Sequence, residues 1–181
     1  VHMGSLIERA PTGELYNTAV VLGPDGGLRA SYRKIHRFGF SDGEPRLLAA
    51  GDAPVVYDAG EHGRWGLATC YDLRFPELFR ALVDRGAEAV VVVAGWPAAR
   101  IGHWSLLARA RAVEDQVFVL GCNAVGQQGR TALGGRSVVI DPWGGVVAEA
   151  GGDAEVTAVD VDLADVARVR AEFPVLADRR M

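Results

Sequence analysis

Short apolar runs alternate with helix-like patterns along the chain. Runs of about four to eight residues, rich in valine and bounded by Gly, Pro, Asp and Asn, predict buried or half-buried strands. The predicted strands cover residues 4–7, 18–23, 28–33, 55–58, 65–70, 89–94, 117–123, 137–141, 146–150 and 156–161. Residues 24–27 and 142–145 each contain two glycines between two such runs, and they predict hairpin turns.

Three segments have helical periodicity. Apolar residues recur at helical spacing over 75–83, where Pro76 is favourable at a first helical position. A second helix is predicted over 101–115, and a shorter one over 163–171 with Asp162 as its cap. The run 90–93 is apolar on both faces of a strand, which is typical of a sheet covered on both sides. The pattern therefore predicts one layered α/β sandwich with antiparallel hairpins.

Composition narrows the class of protein. The chain has 181 residues, is 49% hydrophobic and carries a net charge of −4, which is typical of a globular domain. Its basic residues form no cluster, which argues against nucleic-acid binding, and no apolar run approaches the roughly 20 residues that a membrane span needs. Two cysteines make no disulfide framework or metal-binding spacing, so we expect a reducing, cytoplasmic setting without a membrane.

Lysine usage points to one residue. Lys34 is the single lysine among 19 basic residues, although arginine serves equally well as a solvated surface charge. A compact ammonium whose pKa can shift suits catalysis better than a guanidinium. We therefore interpret Lys34 as functional; biased codon usage explains the arginines but not this exception.

Cys70 lies in a favourable place for a nucleophile. It ends the predicted strand 65–70 and precedes the helix that begins near Pro76, so the helix dipole is expected to lower the pKa of its thiol. The backbone N–H groups that follow are candidate oxyanion donors. Cys122 lies in the middle of a predicted strand and fits the alternative of a buried, small apolar residue.

Four ordered motifs carry a resemblance that covers nearly the whole chain. They are the segments 32–36 (YRKIH), 70–77 (CYDLRFPE), 103–114 (HW followed by RARAVE) and 135–144 (GRS followed by DPWG). Together they resemble the nitrilase superfamily of carbon-nitrogen hydrolases. The likeness is closest to omega-amidases and related small-amide amidases, on the strength of the second motif and the terminal FPVLADRR.

The resemblance implies an α-β-β-α sandwich and a Cys-Glu-Lys catalytic set without metal or cofactor. The nucleophile matches Cys70, the lysine matches Lys34, and a supporting glutamate falls on Glu44. The implied reaction is hydrolysis of a small-molecule amide through a Cys thioester, with Lys34 and the Tyr71 N–H stabilising the oxyanion. Arg74 is a candidate ligand for a substrate carboxylate, or a structural partner of Asp72. A homodimer or larger homo-oligomer is also implied.

One residue of the family pattern lies outside this sequence. The family's general-base glutamate precedes the lysine motif in an N-terminal strand, so we expect residues 1–181 to form a single domain without its N-terminal strand-helix segment, and to be inactive alone. Alternatives within the superfamily are a nitrilase, an N-carbamoyl amidohydrolase or a deaminated-glutathione amidase. An alternative of another class is a non-catalytic, truncated interaction module.

Overall fold

The computed structural model describes residues 1–40 and 42–180. Their strands form a three-stranded sheet, a mixed six-stranded sheet and a separate two-stranded hairpin. The strands are β1 His2–Arg9, β2 Leu15–Leu22, β3 Leu28–Arg33, β4 Val56–Asp58, β5 Arg64–Thr69, β6 Ala89–Ala94, β7 Phe118–Asn123, β8 Val125–Gln128, β9 Thr131–Gly134, β10 Val138–Ile140 and β11 Val146–Glu149.

The six-stranded sheet has a parallel centre and antiparallel edges. Its order is β11-β10-β7-β6-β5-β4, and β6 pairs in parallel with both β5 and β7. The outer strands β4, β10 and β11 pair antiparallel with their neighbours. In the three-stranded sheet, β1, β2 and β3 are all antiparallel. Both predicted hairpins are confirmed: residues 24–27 join β2 to β3, and residues 142–145 join β10 to β11.

Two of the helices cover one face of the six-stranded sheet. The helices are α1 Glu44–Leu47, α2 Pro76–Asp84, α3 Ile101–Asp115 and α4 Ala164–Glu172. Glycines in the strands make room for them: a Cβ at Gly66 would meet Leu82 of α2, and one at Gly121 would meet Trp104 of α3. Among the described helices, none has the length and apolar surface that crossing a bilayer requires.

The three-stranded sheet packs on part of the opposite face. There β1 contacts β6 and β2 contacts β5, and Leu67 and Val93 are buried with Val21 in one core. Farther along the same face, half-exposed Val91 and Leu120 line a groove of about 820 Å³. The α/β layers expected from the sequence are therefore present, and the second face is covered in part.

Most predicted elements are confirmed, and one is wrong. The strands over 28–33 and 89–94 and the helix over 101–115 have the predicted bounds. Residues 156–161 form no strand, because no strand in the described part of the chain pairs with them. Val156 is 96% exposed. The last helix begins one residue later than predicted, so its N-cap is Leu163 and not Asp162. The Asp162 side chain still accepts a hydrogen bond from Ala164 N, the first residue of the helix, at 2.9 Å.

Candidate active site

The candidate site lies at the carboxyl ends of the central parallel strands. Cys70 follows β5 directly, and Gly95 follows β6. Loops at the carboxyl ends of parallel strands meet at one edge of a sheet, which is where α/β proteins commonly bind ligands. The Gly95 backbone N–H lies near the Cys70 thiol and acts to lower its pKa.

Cys70 has an unusual backbone conformation. Its φ is +49°, in the left-handed region that residues other than glycine rarely adopt. It begins a short 3-10 helix, Cys70–Arg74, and α2 follows from Pro76. The thiol is partly buried. A sharp turn of this kind brings the side chain to the edge of the sheet instead of continuing the strand.

Lys34 lies beside the Cys70 turn in a buried ion pair. Its side chain is 3% exposed, and its Nζ is 2.6 Å from Oε2 of Glu44. The Lys34 backbone is held on both sides, since its N–H donates to Asn17 O at 2.8 Å and its carbonyl accepts from Gly51 N at 2.9 Å. The structure therefore brings together Cys70, Lys34 and Glu44, which the sequence had singled out.

Glu44 is bound at several points as an ionised carboxylate. Besides Lys34, it accepts hydrogen bonds from Phe38 N at 2.6 Å and from Asn17 Nδ2 at 3.0 Å. Burial raises the pKa of Glu44, but the hydrogen bonds from Lys34, Phe38 and Asn17 outweigh it and hold the pKa below its usual range. A carboxylate occupied in this way is suited to fixing the Lys34 ammonium.

The expected lowering of the Cys70 pKa is wrong. Burial raises the pKa of the Cys70 thiol above its usual value, and the charges of Glu44 and Asp72 act in the same direction. The Lys34 charge and the Gly95 N–H lower it, but by less than burial raises it. The sequence argument considered the helix dipole and could not include desolvation. A thiol of this kind needs a base to take its proton during attack.

Cys70 opens into a pocket of about 510 Å³. Tyr71 lines it, as do the guanidinium side chains of Arg74, Arg100 and Arg130. None of these three arginines forms an ion pair with a carboxylate of the described residues. The pocket wall therefore carries positive charge that an anionic group of a ligand can neutralise.

Arg74 does not pair with Asp72, which was the structural alternative for it. Its guanidinium lies 4.9 Å from the centre of the Trp96 ring and 3.2 Å from Nδ1 of His103. Sequence reasoning missed Arg100 and Arg130, because arginine is abundant in the chain. Arg130 lies in the turn between β8 and β9, whose Gln- and Gly-rich residues did not predict strands. Its position in a Gly-Arg turn was the one available signal.

Cys122 is exposed, so the interpretation of it as a buried apolar residue is wrong. It lies in β7 on the part of the second face that the three-stranded sheet leaves uncovered, and it lines the large groove instead of the Cys70 pocket. In the part of the chain that the structure describes, no group of three or more His, Cys, Asp or Glu side chains could hold a metal ion.

Comparison with known proteins identifies the family. The model of the carbon-nitrogen hydrolase family matches residues 1–171. The chain belongs to the carbon-nitrogen hydrolase family. It is 45% identical to a 2-oxoglutaramate amidase of Paenarthrobacter nicotinovorans, over 99% of this chain and 63% of that protein. It is 37% identical to the human omega-amidase NIT2, over 98% of this chain and 67% of that protein.

A solved structure confirms the likeness in three dimensions. The amidase of Nesterenkonia sp. AN1 matches with a TM-score of 0.81 at 31% identity, over 95% of this chain and 65% of that one. In that structure, the acetamide moiety of fluoroacetamide is bound covalently to the active-site cysteine. The resemblance and the fold class predicted from the motifs are thus confirmed. The chain spans about 63% of the length of the 2-oxoglutaramate amidase that it matches.

Proposed function

We propose that the protein containing these residues hydrolyses the amide of a small substrate that also carries a carboxylate, releasing ammonia. The observation that carries the proposal is the Cys70 thiol, which opens into a pocket with three arginines and lies beside the buried Lys34–Glu44 pair. The relatives named 2-oxoglutaramate amidase and omega-amidase support the reaction class.

The proposed reaction passes through a thioester. The Cys70 sulfur attacks the amide carbonyl and forms a C–S bond, while Lys34 Nζ and the Tyr71 N–H donate to the oxygen that becomes negative. The C–N bond then breaks, and the nitrogen leaves as ammonia after taking up a proton. Water attacks the thioester, which yields the carboxylate and returns the thiol.

A general base has to move the proton in both halves of this reaction. Because burial raises the pKa of Cys70, little thiolate is present before substrate binds. Glu44 is occupied by Lys34, so it is suited to positioning that lysine and poorly suited to accepting a proton. By resemblance, we propose that the base is the family glutamate that precedes the lysine motif.

The substrate carboxylate is assigned to the arginines of the pocket. Arg74 lies four residues after the nucleophile, and its guanidinium is oriented by Trp96 and His103. A guanidinium can bind a carboxylate through two parallel hydrogen bonds, which fixes the distance between that carboxylate and the amide. This argument favours a carboxylate-bearing amide over a neutral amide or a neutral nitrile.

The test is ammonia release by the gene product that contains these residues. We expect activity on 2-oxoglutaramate and succinamate, little on the neutral butyramide, and none in Cys70→Ala. Arg74→Met is expected to raise KM for succinamate at least tenfold and to leave turnover of butyramide unchanged. Equal activity on the charged and neutral amides, or normal activity in Cys70→Ala, would contradict the proposal. A cytoplasmic location and assembly into a homodimer or larger homo-oligomer stay predictions.

A further inference from the structure

One buried carboxylate connects the segment of Lys34 with the turn of Cys70. Asp72 has no exposed surface. Its Oδ2 accepts hydrogen bonds from Tyr32 Oη at 2.8 Å and from Thr69 N at 2.9 Å. Its Oδ1 accepts from the backbone N and the ring Nδ1 of His36, at 3.1 and 2.8 Å. All four donors meet one carboxylate, so its charge is compensated without an arginine or lysine partner.

The partners of Asp72 lie symmetrically about the lysine. Tyr32 is two residues before Lys34, His36 is two residues after it, and Asp72 is two residues after Cys70. Burial raises the pKa of the Tyr32 phenol, which therefore stays protonated and donates to Asp72. The Tyr32 oxygen also accepts a hydrogen bond from Ile35 N at 3.2 Å. Hydrogen bonds to Asp72 therefore hold the segment that carries Lys34 on both sides of the lysine.

An aromatic contact joins the same two segments a second time. The His36 ring stacks on the Phe75 ring, with centroids 3.8 Å apart and planes 5° apart. Because a carboxylate only accepts hydrogen bonds, the Nδ1 that faces Asp72 carries a proton. The stacking and the hydrogen bond together define the position of His36 with respect to the Cys70 turn.

We propose that Asp72 is a positioning residue that holds the Lys34 ammonium at a fixed place beside the Cys70 thiol. It acts through Tyr32 and His36 and does not touch the substrate. The inference rests on the proposed function in so far as Lys34 and Cys70 are the reacting pair. It gives Asp72 a role different from partnering Arg74, which the sequence alone left open.

The direction in which Asp72→Asn shifts the pKa of Cys70 distinguishes a positioning role from a direct effect of the Asp72 charge. The Asp72 charge itself raises the pKa of Cys70, whereas the Lys34 charge lowers it. Glu44 also raises this pKa. Arg74, Arg100 and Arg130 line the same pocket as the thiol. If Asp72 acted only as a charge, Asp72→Asn would lower the pKa of Cys70. If it positions Lys34, its loss displaces that ammonium and the pKa rises.

The experiment measures alkylation of Cys70 by iodoacetamide as a function of pH. All variants carry Cys122→Ser, because Cys122 is exposed and would react as well. In Asp72→Asn we expect the profile to move about one pH unit higher, which makes labelling at pH 7 about tenfold slower, with the same rate at high pH. Urea denaturation checks that each variant is folded.

Variants of His36 leave the Asp72 carboxylate in place, and they test the same inference if Asp72→Asn does not fold. His36→Phe retains a ring for stacking on Phe75 but donates nothing to Asp72, and we expect its profile to move higher by at least half a unit. His36→Asn places an amide N–H near the position of Nδ1 and should restore the profile. As the matched control, Asp141→Asn removes a carboxylate from the β10–β11 turn, where it accepts Trp143 N and Gly145 N, and should leave the profile unchanged.

The inference is overturned if the profile of folded Asp72→Asn stays in place or moves to lower pH, or if His36→Phe behaves like its parent. Alkylation requires no turnover of an amide. If the parent protein hydrolyses none of the amides, the proposed function is contradicted, but the alkylation result for Asp72 can still be interpreted.

Discussion

The Lys34–Glu44 pair makes a quantitative prediction for Glu44→Gln. The change keeps the shape of the side chain but removes the charge that faces Lys34. Removing one partner of a fully buried ion pair costs about 3–5 kcal/mol, since the other charge is left uncompensated. Lys34 is 3% exposed and Glu44 21% exposed, so water can compensate part of the loss. We therefore expect unfolding free energy to fall by about 2–3 kcal/mol at pH 7.

The assay is urea denaturation of the parent and of Glu44→Gln over a range of pH. With a slope of about 2 kcal/mol per molar urea, the midpoint should fall by about 1–1.5 M at pH 7. The pKa of Glu44 is lower in the folded state than the value of about 4.3 in the unfolded chain. The stabilisation is therefore complete above pH 4.3 and is lost as the pH falls through the folded pKa. The two midpoints should converge below about pH 4.

Glu172→Gln is the matched control, because Glu172 is an exposed residue of the last turn of α4. It should shift the midpoint by less than about 0.3 M at any pH. Equal midpoints for the parent and Glu44→Gln at pH 7 would refute the reasoning. A difference that grows as the pH falls would refute it as well, because the sign of the linkage would then be reversed.

Three further substitutions test separate parts of the structure. Lys34→Arg keeps the charge but not the compact ammonium, so kcat for amide hydrolysis should fall by about 100-fold or more. A urea titration should show that the variant is folded. A near-normal kcat would exclude Lys34 as an oxyanion donor. Burial raises the pKa of Asp115 to about 7 against the opposing charge of Arg80. The parent should therefore lose stability as the pH rises from about 4 to about 7, and Asp115→Asn should abolish that dependence in urea titrations. Gly121→Ala should lower the unfolding free energy by about 1–3 kcal/mol, because the new methyl group meets Trp104; an unchanged midpoint would show that the indole moves aside.

The central strands could be predicted because burial on both faces leaves a continuous apolar run. β6 is the clearest example, and its bounds agree with the prediction. Residues 156–161 also form a short valine-rich run, yet strand formation needs a neighbouring strand, which a local pattern does not reveal. β8 and β9 were missed for the opposite reason, since pairing between them forms a hairpin from Gly- and Gln-rich residues.

Some residues of the candidate site could be identified from the sequence, and others could not. Lys34 stood out by composition, Cys70 by its place after a strand, and Glu44 by resemblance. Asp72 was interpreted as a possible partner of Arg74, because its side-chain partners His36 and Tyr32 are 36 and 40 residues away along the chain. The raised pKa of Cys70 depends on desolvation, which is a property of the packed structure. Residues that act through tertiary contacts were therefore the ones that the sequence could not assign.

The left-handed backbone of Cys70 means that the proposed nucleophile destabilises the fold. An L-residue other than glycine is destabilised by about 1 kcal/mol at such a φ, whereas glycine is not. Replacing this cysteine by glycine would relieve the strain and abolish the thiol in a single step. A lineage under selection for stability alone would thus tend to lose its chemistry at this position first. A domain of this kind can become an inert scaffold without any change to its core, and its ability to react persists only while the reaction itself is selected.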